Sequence, residues 1–276
     1  MSGEVTRIVA RRHSGWIAYA REIVRFRDLF RFFVLRDIRI RYSQTVLGLG
    51  WSVLQPFLQT VVFTIFFGGL AGVSSGNVPY AVFSIAAVVP WTYFNNAVTN
   101  ASTSLITNQQ LVAKTYFPRL FIPLSPLGAG LVDLGIGIVL LLVVELAYGY
   151  YPAWWVIFAL PLLVAMLFLA AAGIAIWLSA LGALYRDVRY VAPFLLQILL
   201  FVTPVIYVVG SVPASLRPFY AINPLVGVIG AFRATFVHQS PLPLGSMLIS
   251  VVVSLVLVVT GLIYFRRVER VFADVA

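Results

Sequence analysis

Apolar side chains fill long uninterrupted stretches of this chain, and charged side chains are confined between them. No Asp, Glu, Lys or Arg occurs in residues 43–113, 146–185 or 234–265. A helix crosses the hydrocarbon of a bilayer in about 20 residues, so each stretch has room for one span or more. Apolar runs and their breakers predict six transmembrane helices, at about 46–70, 80–99, 121–148, 154–181, 191–209 and 244–265. The first ends in the Gly/Ser-rich turn GGLAGVSSGN, and the second turns polar through NNAVTNAST. Residues 210–243 stay apolar, but Pro and Gly break them too often for a simple span.

Ahead of the first span the pattern changes. Trp16, Tyr19, Ile23, Phe26, Phe30 and Phe33 recur at steps of three and four, with Arg21, Glu22, Arg25, Arg27, Asp28 and Arg31 between them. This is one amphipathic helix with an aromatic stripe, of the kind that lies in a membrane interface. It reads first as an anchor to the inner leaflet and second as a collar touching a cytoplasmic partner. The organisation is then a cytoplasmic N-terminus over 1–45, a six-span domain over 46–265 and a cytoplasmic tail over 266–276.

Composition agrees with an all-α integral membrane protein: 61% of the 276 residues are hydrophobic and 10% charged, against about 25% charged in soluble domains. The formal charge of +10 suggests nucleic acid only until its placement is examined. With the N-terminus inside, ten Arg before residue 46, Lys114 and Arg119, Arg186 and Arg189, and Arg266, Arg267 and Arg270 all fall on the cytoplasmic side. That is 17 of 19 basic residues, leaving Arg217 and Arg233 outside, and it predicts both termini in the cytoplasm. Tyr148, Tyr150, Tyr151, Trp154 and Trp155 cluster at the outer turn between spans three and four, as an aromatic belt does. With no cysteine in the chain, disulfides and thiolate chemistry are excluded.

Motifs for catalysis are missing. No phosphate-binding GxxxxGK[ST] loop occurs, and Lys114 is the single lysine. His13 and His238 fall on opposite sides of the predicted membrane and cannot share a metal. Asp133 lies inside span three and Glu145 near its outer end. A carboxylate at membrane depth is a functional candidate by default, but one such residue fits a helix-packing hydrogen bond better than an ion-coupled carrier. A transport subunit without enzymatic activity of its own is the expectation.

Four long segments go further. LRDIRIRYSQTVLGLGWSVLQPFLQTVVFTIFFG (Leu35–Gly68), VPWTYFNNAVTNASTSLITNQQLVAKTYFPRLFIPL (Val89–Leu124), YRDVRYVAPFLLQILLFVTPVIY (Tyr185–Tyr207) and INPLVGVIGAFR (Ile222–Arg233) resemble, in order and spacing, the permease subunits of type-2 ATP-binding-cassette transporters that export O-antigen, capsule and teichoic-acid chains. The resemblance implies a homodimer with a channel between the copies, and two copies of a separate ATPase at the cytoplasmic face. ATP and Mg would then sit on that partner, with no cofactor in this chain, in a bacterial cytoplasmic membrane. O-antigen is the favoured cargo. A drug or small-lipid exporter of the same fold, or a channel or scaffold working without ATP, is the alternative.

The resemblance also implies roles for residues. A coupling helix for the ATPase falls at Asn108–Arg119, with Leu111, Tyr116 and Phe117 exposed for a hydrophobic groove, Lys114 and Arg119 adding charge, and Pro118 ending it. The loop with Arg186, Asp187 and Arg189 is either a second cytoplasmic contact or a turn shaped by an Arg186–Asp187 pair. Aromatic rings stack on the C–H faces of sugars, so Trp51, Phe57, Phe63, Phe66 and Phe67 of span one and Phe194, Phe201 and Tyr207 of span five are candidate channel linings. An outer re-entrant segment at about 211–239, broken by Pro213, Pro218 and Pro224 and including Asn223, would gate the exit. There Arg233 meets an anionic sugar or lipid phosphate, or snorkels to the headgroups.

Overall fold

The computed structural model describes residues 15–43, 47–115, 117–213, 215–237 and 241–275, and every regular element among them is helical. The N-terminal arm is two helices, α1 (Trp16–Arg25) and α2 (Arg27–Tyr42). They meet at an elbow on Phe26, where φ −93° and ψ 17° leave the helical path. The single amphipathic helix of the sequence reading is therefore divided.

Its polar side is as expected, with Arg21, Arg25, Arg27, Asp28 and Arg31 exposed. Its aromatic side packs in part against the protein itself. Tyr19 and Phe33 are buried in a cluster with Leu105, Phe117, Leu120, Phe121 and Phe265, and the Phe30 and Phe121 ring centroids lie 5.4 Å apart. Aromatic pairs at this spacing stabilise beyond the area they bury, and the protein's own rings supply them. Part of the stripe is thus a docking face for the bundle, while Ile17, Val24, Phe32, Leu35 and Ile40 stay exposed on the same arm.

The remaining helices are α3 (Gly50–Phe63), continued by a wider π-helical segment over Thr64–Leu70; α4 (Tyr80–Thr107); α5 (Gln109–Lys114); α6 (Phe121–Ala147); α7 (Val156–Leu184); α8 (Val188–Val202); α9 (Arg217–Ala221); α10 (Pro224–Val237); and α11 (Leu244–Val275). Five segments are long and apolar enough to cross a membrane: α3 with its extension, α4, α6, α7 and the Leu244–Glu269 part of α11. The predicted fifth helix is shorter than expected. α8 has 15 residues, about 22 Å at 1.5 Å per residue against about 30 Å of hydrocarbon. It ends at Thr203, whose ψ of 143° is extended, because Pro204 disfavours a helical conformation in the residue before it.

α4 lies at the centre, packed by α3, α6, α7, α8 and α10. Small residues let the backbones close on one another, as membrane helices require. A Cβ added at Gly182 of α7 would stand 2.5 Å from the Ser102 carbonyl of α4, and one added at Gly227 of α10 2.2 Å from the Ser246 carbonyl of α11. α10 is buried from Pro224 to Ile229 and packs on α4, α7 and α11. The irregular residues before it are more open, with Leu216, Phe219 and Ile222 exposed.

Candidate functional site

The turn from α4 through α5 to α6 is built as a brace. Asn108 ends α4 by donating its side-chain amide to the Ser104 carbonyl at 2.8 Å. α5 then presents Gln109, Gln110 and Lys114 outward, while Leu111 and Val112 turn towards the Phe33–Phe117–Phe121 cluster. Phe117 is 4% exposed and its ring centroid lies 5.3 Å from that of Phe33. The expected exposed Phe117 is therefore corrected: a large apolar ring beside the α2 stripe is buried there. Pro118 is buried as well, and Tyr116 lies outside the described residues. Arg119 donates to the Glu269 carbonyl of α11 at 3.1 Å. Beside it a cleft of about 180 Å³ opens, lined by Gln109, Val112, Arg119, Arg186 and Glu269 among others.

Arg186, Asp187 and Arg189 are exposed. Among the described residues no ion pair joins Arg186 to Asp187, so a turn shaped by that pair is not what the structure contains; the Arg189 guanidinium instead lies 5.1 Å from the Tyr190 ring centre.

Asp133 is the hub of the opposite tie. Its carboxylate accepts from the Arg41 guanidinium and the Tyr42 hydroxyl at the end of α2, and from the Ser52 hydroxyl at the start of α3 at 2.5 Å. The sequence reading of a packing interaction holds, with an ion pair and two hydroxyl donors in place of a lone hydrogen bond. Burial first, then the hydrogen bond to Asp133, push the Tyr42 phenol above its ordinary pKa. One turn earlier, Asp37 accepts from Ser125 of α6 at 2.5 Å, so α2 is fastened to α6 twice. Glu145 is buried in α6 with no hydrogen-bond partner among the described residues.

The candidate channel aromatics divide. Trp51, Phe57, Phe66, Phe194 and Phe201 are exposed, with Trp51 at 53%. Phe63 is buried, its ring edge-on to Phe67 with centroids 5.6 Å apart, and Phe67 packs against the main core. Tyr207 is half-buried; its hydroxyl donates to the Phe201 carbonyl at 2.8 Å and accepts from Tyr220 at 2.9 Å.

On the predicted outer side, Arg233 is neither free for an anion nor turned to headgroups. Its guanidinium lies 3.7 Å from the Phe83 ring centre and donates to the carbonyls of Phe83 (3.3 Å), Pro204 (2.5 Å), Val205 (2.6 Å) and Tyr207 (3.1 Å). The carbonyls of Pro204, Val205 and Tyr207, left open where α8 stops, are satisfied together with that of Phe83 in α4 by the planar fork of an arginine, which corrects both readings of this residue. Asn223 accepts from the Leu225 N–H at 3.0 Å, capping α10, and donates to Thr203 at 2.9 Å. Pro224 is buried at the first turn of α10 and Pro213 is exposed.

One feature was missed in the sequence. The NNAVTNAST run does not end α4; the helix continues to Thr107. Along it Gln55 and Gln59 of α3 accept from Asn96 (3.1 Å) and Thr92 (3.5 Å). A cavity of about 200 Å³ there is lined by Trp51, Gln55, Thr92, Asn96, Asn100 and Asp133 with their neighbours. The available signal was the spacing of the Asn and Thr residues at steps of three and one.

Residues 28–237 match the family model for the ABC-2 type transporter. The chain is 28% identical over 250 residues to the O-antigen export system permease protein RfbA of Klebsiella pneumoniae, covering 90% of this chain and 95% of the relative. It is 27% identical to the protein of that name from Myxococcus xanthus, over 94% of this chain and 99% of the relative. The polysialic acid transport protein KpsM of Escherichia coli is 24% identical over 72% of this chain and 77% of its own length. A family match over residues 28–237, on a chain of apolar helices fastened by internal ion pairs and carbonyl clamps, places this protein in the ABC-2 type transporter family.

Proposed function

We propose that this chain is the permease subunit of an ATP-driven exporter that moves lipid-linked polysaccharide, O-antigen above all, from the cytoplasm across the bacterial inner membrane. The observation that carries this is the near full-length similarity to O-antigen export permeases. Two copies of the chain would enclose the path, and two copies of a separate ATPase would supply the energy. Six crossings place both termini in the cytoplasm, with α8 and the non-helical residues after it forming a short fifth crossing. α9 and α10 then dip from the outer side, held by the Arg233 clamp.

The geometry supports a coupling route. The ATPase docks on the outward side chains of α5, Gln109, Gln110 and Lys114, and on the cleft beside Arg119 and Arg186. A push on α5 reaches α2 through the contact of Phe117 with Phe33, and reaches α6 through the ties of Arg41 and Tyr42 to Asp133. The amphipathic arm is then a lever between the ATPase and the spans, and its motion admits the glycan with its pyrophosphate end leading.

Deletion of the gene tests the reading. Polymer trapped in the cytoplasm, with surface glycan lost, is the expected result. Normal surface glycan and no trapped polymer would assign the chain to another cargo, a drug or small lipid, on the same fold.

A further inference from the structure

Between Trp91 and Leu105, α4 sorts its residues without exception. Trp91, Tyr93, Phe94, Ala97, Val98, Ala101, Ser102, Ser104 and Leu105 are buried. Thr92, Asn95, Asn96, Thr99, Asn100 and Thr103 are half-buried or exposed. Steps of three, one, three, one and three put these six on one helical face, about 16 Å long at 1.5 Å per residue. The stripe lies within residues 43–113, where no charge occurs.

Such a face cannot rest against lipid tails, because amides and hydroxyls without partners are costly there. α3 covers one edge of it through Gln55 and Gln59, but the rest is not made for close packing against another helix. The small residues that allow close approach, Ala97, Ala101 and Ser102, are on the other side, already used against α6 and α7: a Cβ at Gly130 of α6 would meet Ala97, and one at Gly182 of α7 would meet Ser102. Nor is the stripe consumed internally. Asn96 and Thr92 bond to Gln55 and Gln59, and the Thr103 hydroxyl donates to the Asn100 backbone carbonyl at 3.3 Å, but the side chains of Asn95, Thr99 and Asn100 make no hydrogen bond among the described residues.

We infer that the Thr/Asn face of α4, together with Gln55 of α3 and the exposed Trp51 ring at its edge, is the polar wall of the path along which sugar hydroxyls pass. This rests on the polysaccharide reading above and names the groups that would touch the cargo. Neutral amides and hydroxyls both donate and accept, as sugar hydroxyls do, so each contact is replaced as the chain advances. A free charge would hold an anionic or hydrated group in one place; the two charges that line the same cavity, Arg41 and Asp133, are paired with each other. Neutral groups in a row, with the side chains of Asn95, Thr99 and Asn100 open, let a polymer slide, and Trp51 offers its ring to the C–H faces.

The chain contains no cysteine, so single variants Asn95→Cys, Thr99→Cys and Asn100→Cys carry a unique thiol. In membranes with the permease beside its ATPase, a membrane-impermeant maleimide is expected to label all three. Accumulated lipid-linked polymer is expected to slow that labelling several-fold, because an occupied path excludes the reagent. Ala147→Cys, exposed at the end of α6, serves as a reference whose labelling polymer should not change. Thr99→Val and Asn100→Leu are expected to cut surface glycan by a similar factor at unchanged permease level. Absence of labelling, or spontaneous disulfides between copies at Asn95→Cys or Asn100→Cys, would overturn the inference by placing the face in lipid or in a copy–copy seam. Labelling that polymer leaves unchanged would overturn it too, while the gene deletion decides the export reading separately.

Discussion

The Arg41 guanidinium donates to the Asp133 carboxylate across 92 positions of sequence, joining the end of the N-terminal arm to the middle of α6. Both side chains are less than a quarter exposed, at 24% and 18%. Removing one partner of such a pair leaves an uncompensated charge, whereas removing both does not. Asp133→Asn should therefore destabilise the protein by on the order of 3 kcal/mol, and Arg41→Ala with Asp133→Ala together should cost less than the two single changes added. Thermal unfolding of the purified chain in detergent measures both. Additive losses would show that the pair is not coupled.

Arg233 serves four carbonyls from one planar group. Lysine offers three donors at a single point and cannot span them. Arg233→Lys should thus lose most of what Arg233→Ala loses, about 3 kcal/mol or more with several carbonyls orphaned. A charge-only role, by contrast, would let lysine preserve stability, and the same unfolding measurement separates the two.

Two glycines of the bundle predict opposite outcomes. Gly227→Ala drives a Cβ to 2.2 Å from the Ser246 carbonyl, and backbone yields poorly, so about 1–3 kcal/mol should be lost. Gly135, in α6, has nothing within 4 Å of an added Cβ. Gly135→Ala should be neutral or stabilising by up to about 1 kcal/mol through helix propensity. Expression and melting temperature of the two variants, compared side by side, check the contrast.

Phe117 and Lys114 separate folding from coupling. Phe117→Ala removes a buried ring packed on Phe33 and should cost about 3–5 kcal/mol, lowering permease levels. Lys114 is exposed, so Lys114→Glu should leave the melting temperature unchanged while weakening ATPase co-purification. Retention of full ATPase binding by Lys114→Glu would move the docking surface away from α5.

Much of this was legible along the chain. The spans at 80, 121 and 244 begin where the apolar runs begin, because the bilayer demands an unbroken apolar stretch of fixed length. The stripe from Tyr19 to Phe33 follows helical spacing, and spacing alone identifies a face without saying what covers it. The arrangement at Phe117 was not legible: a Phe beside a basic turn reads the same whether a partner or the protein's own Phe33 receives it. Likewise NNAVTNAST reads as the end of a helix when polarity is averaged over a window, since only the burial of Ala97, Val98 and Ala101 shows that one face stays inside.

Helical character, membrane-spanning apolar runs and the absence of a GxxxxGK[ST] motif can be read along the chain, because they depend on composition, run length and local motif. Where Asp133 and Arg233 spend their charge, and which side of α4 is buried in the bundle, emerged with the packed helices. Those outcomes depend on groups brought together from positions 41 and 133, or 83, 204 and 233, and no local pattern encodes which distant carbonyl or guanidinium will satisfy a buried polar group.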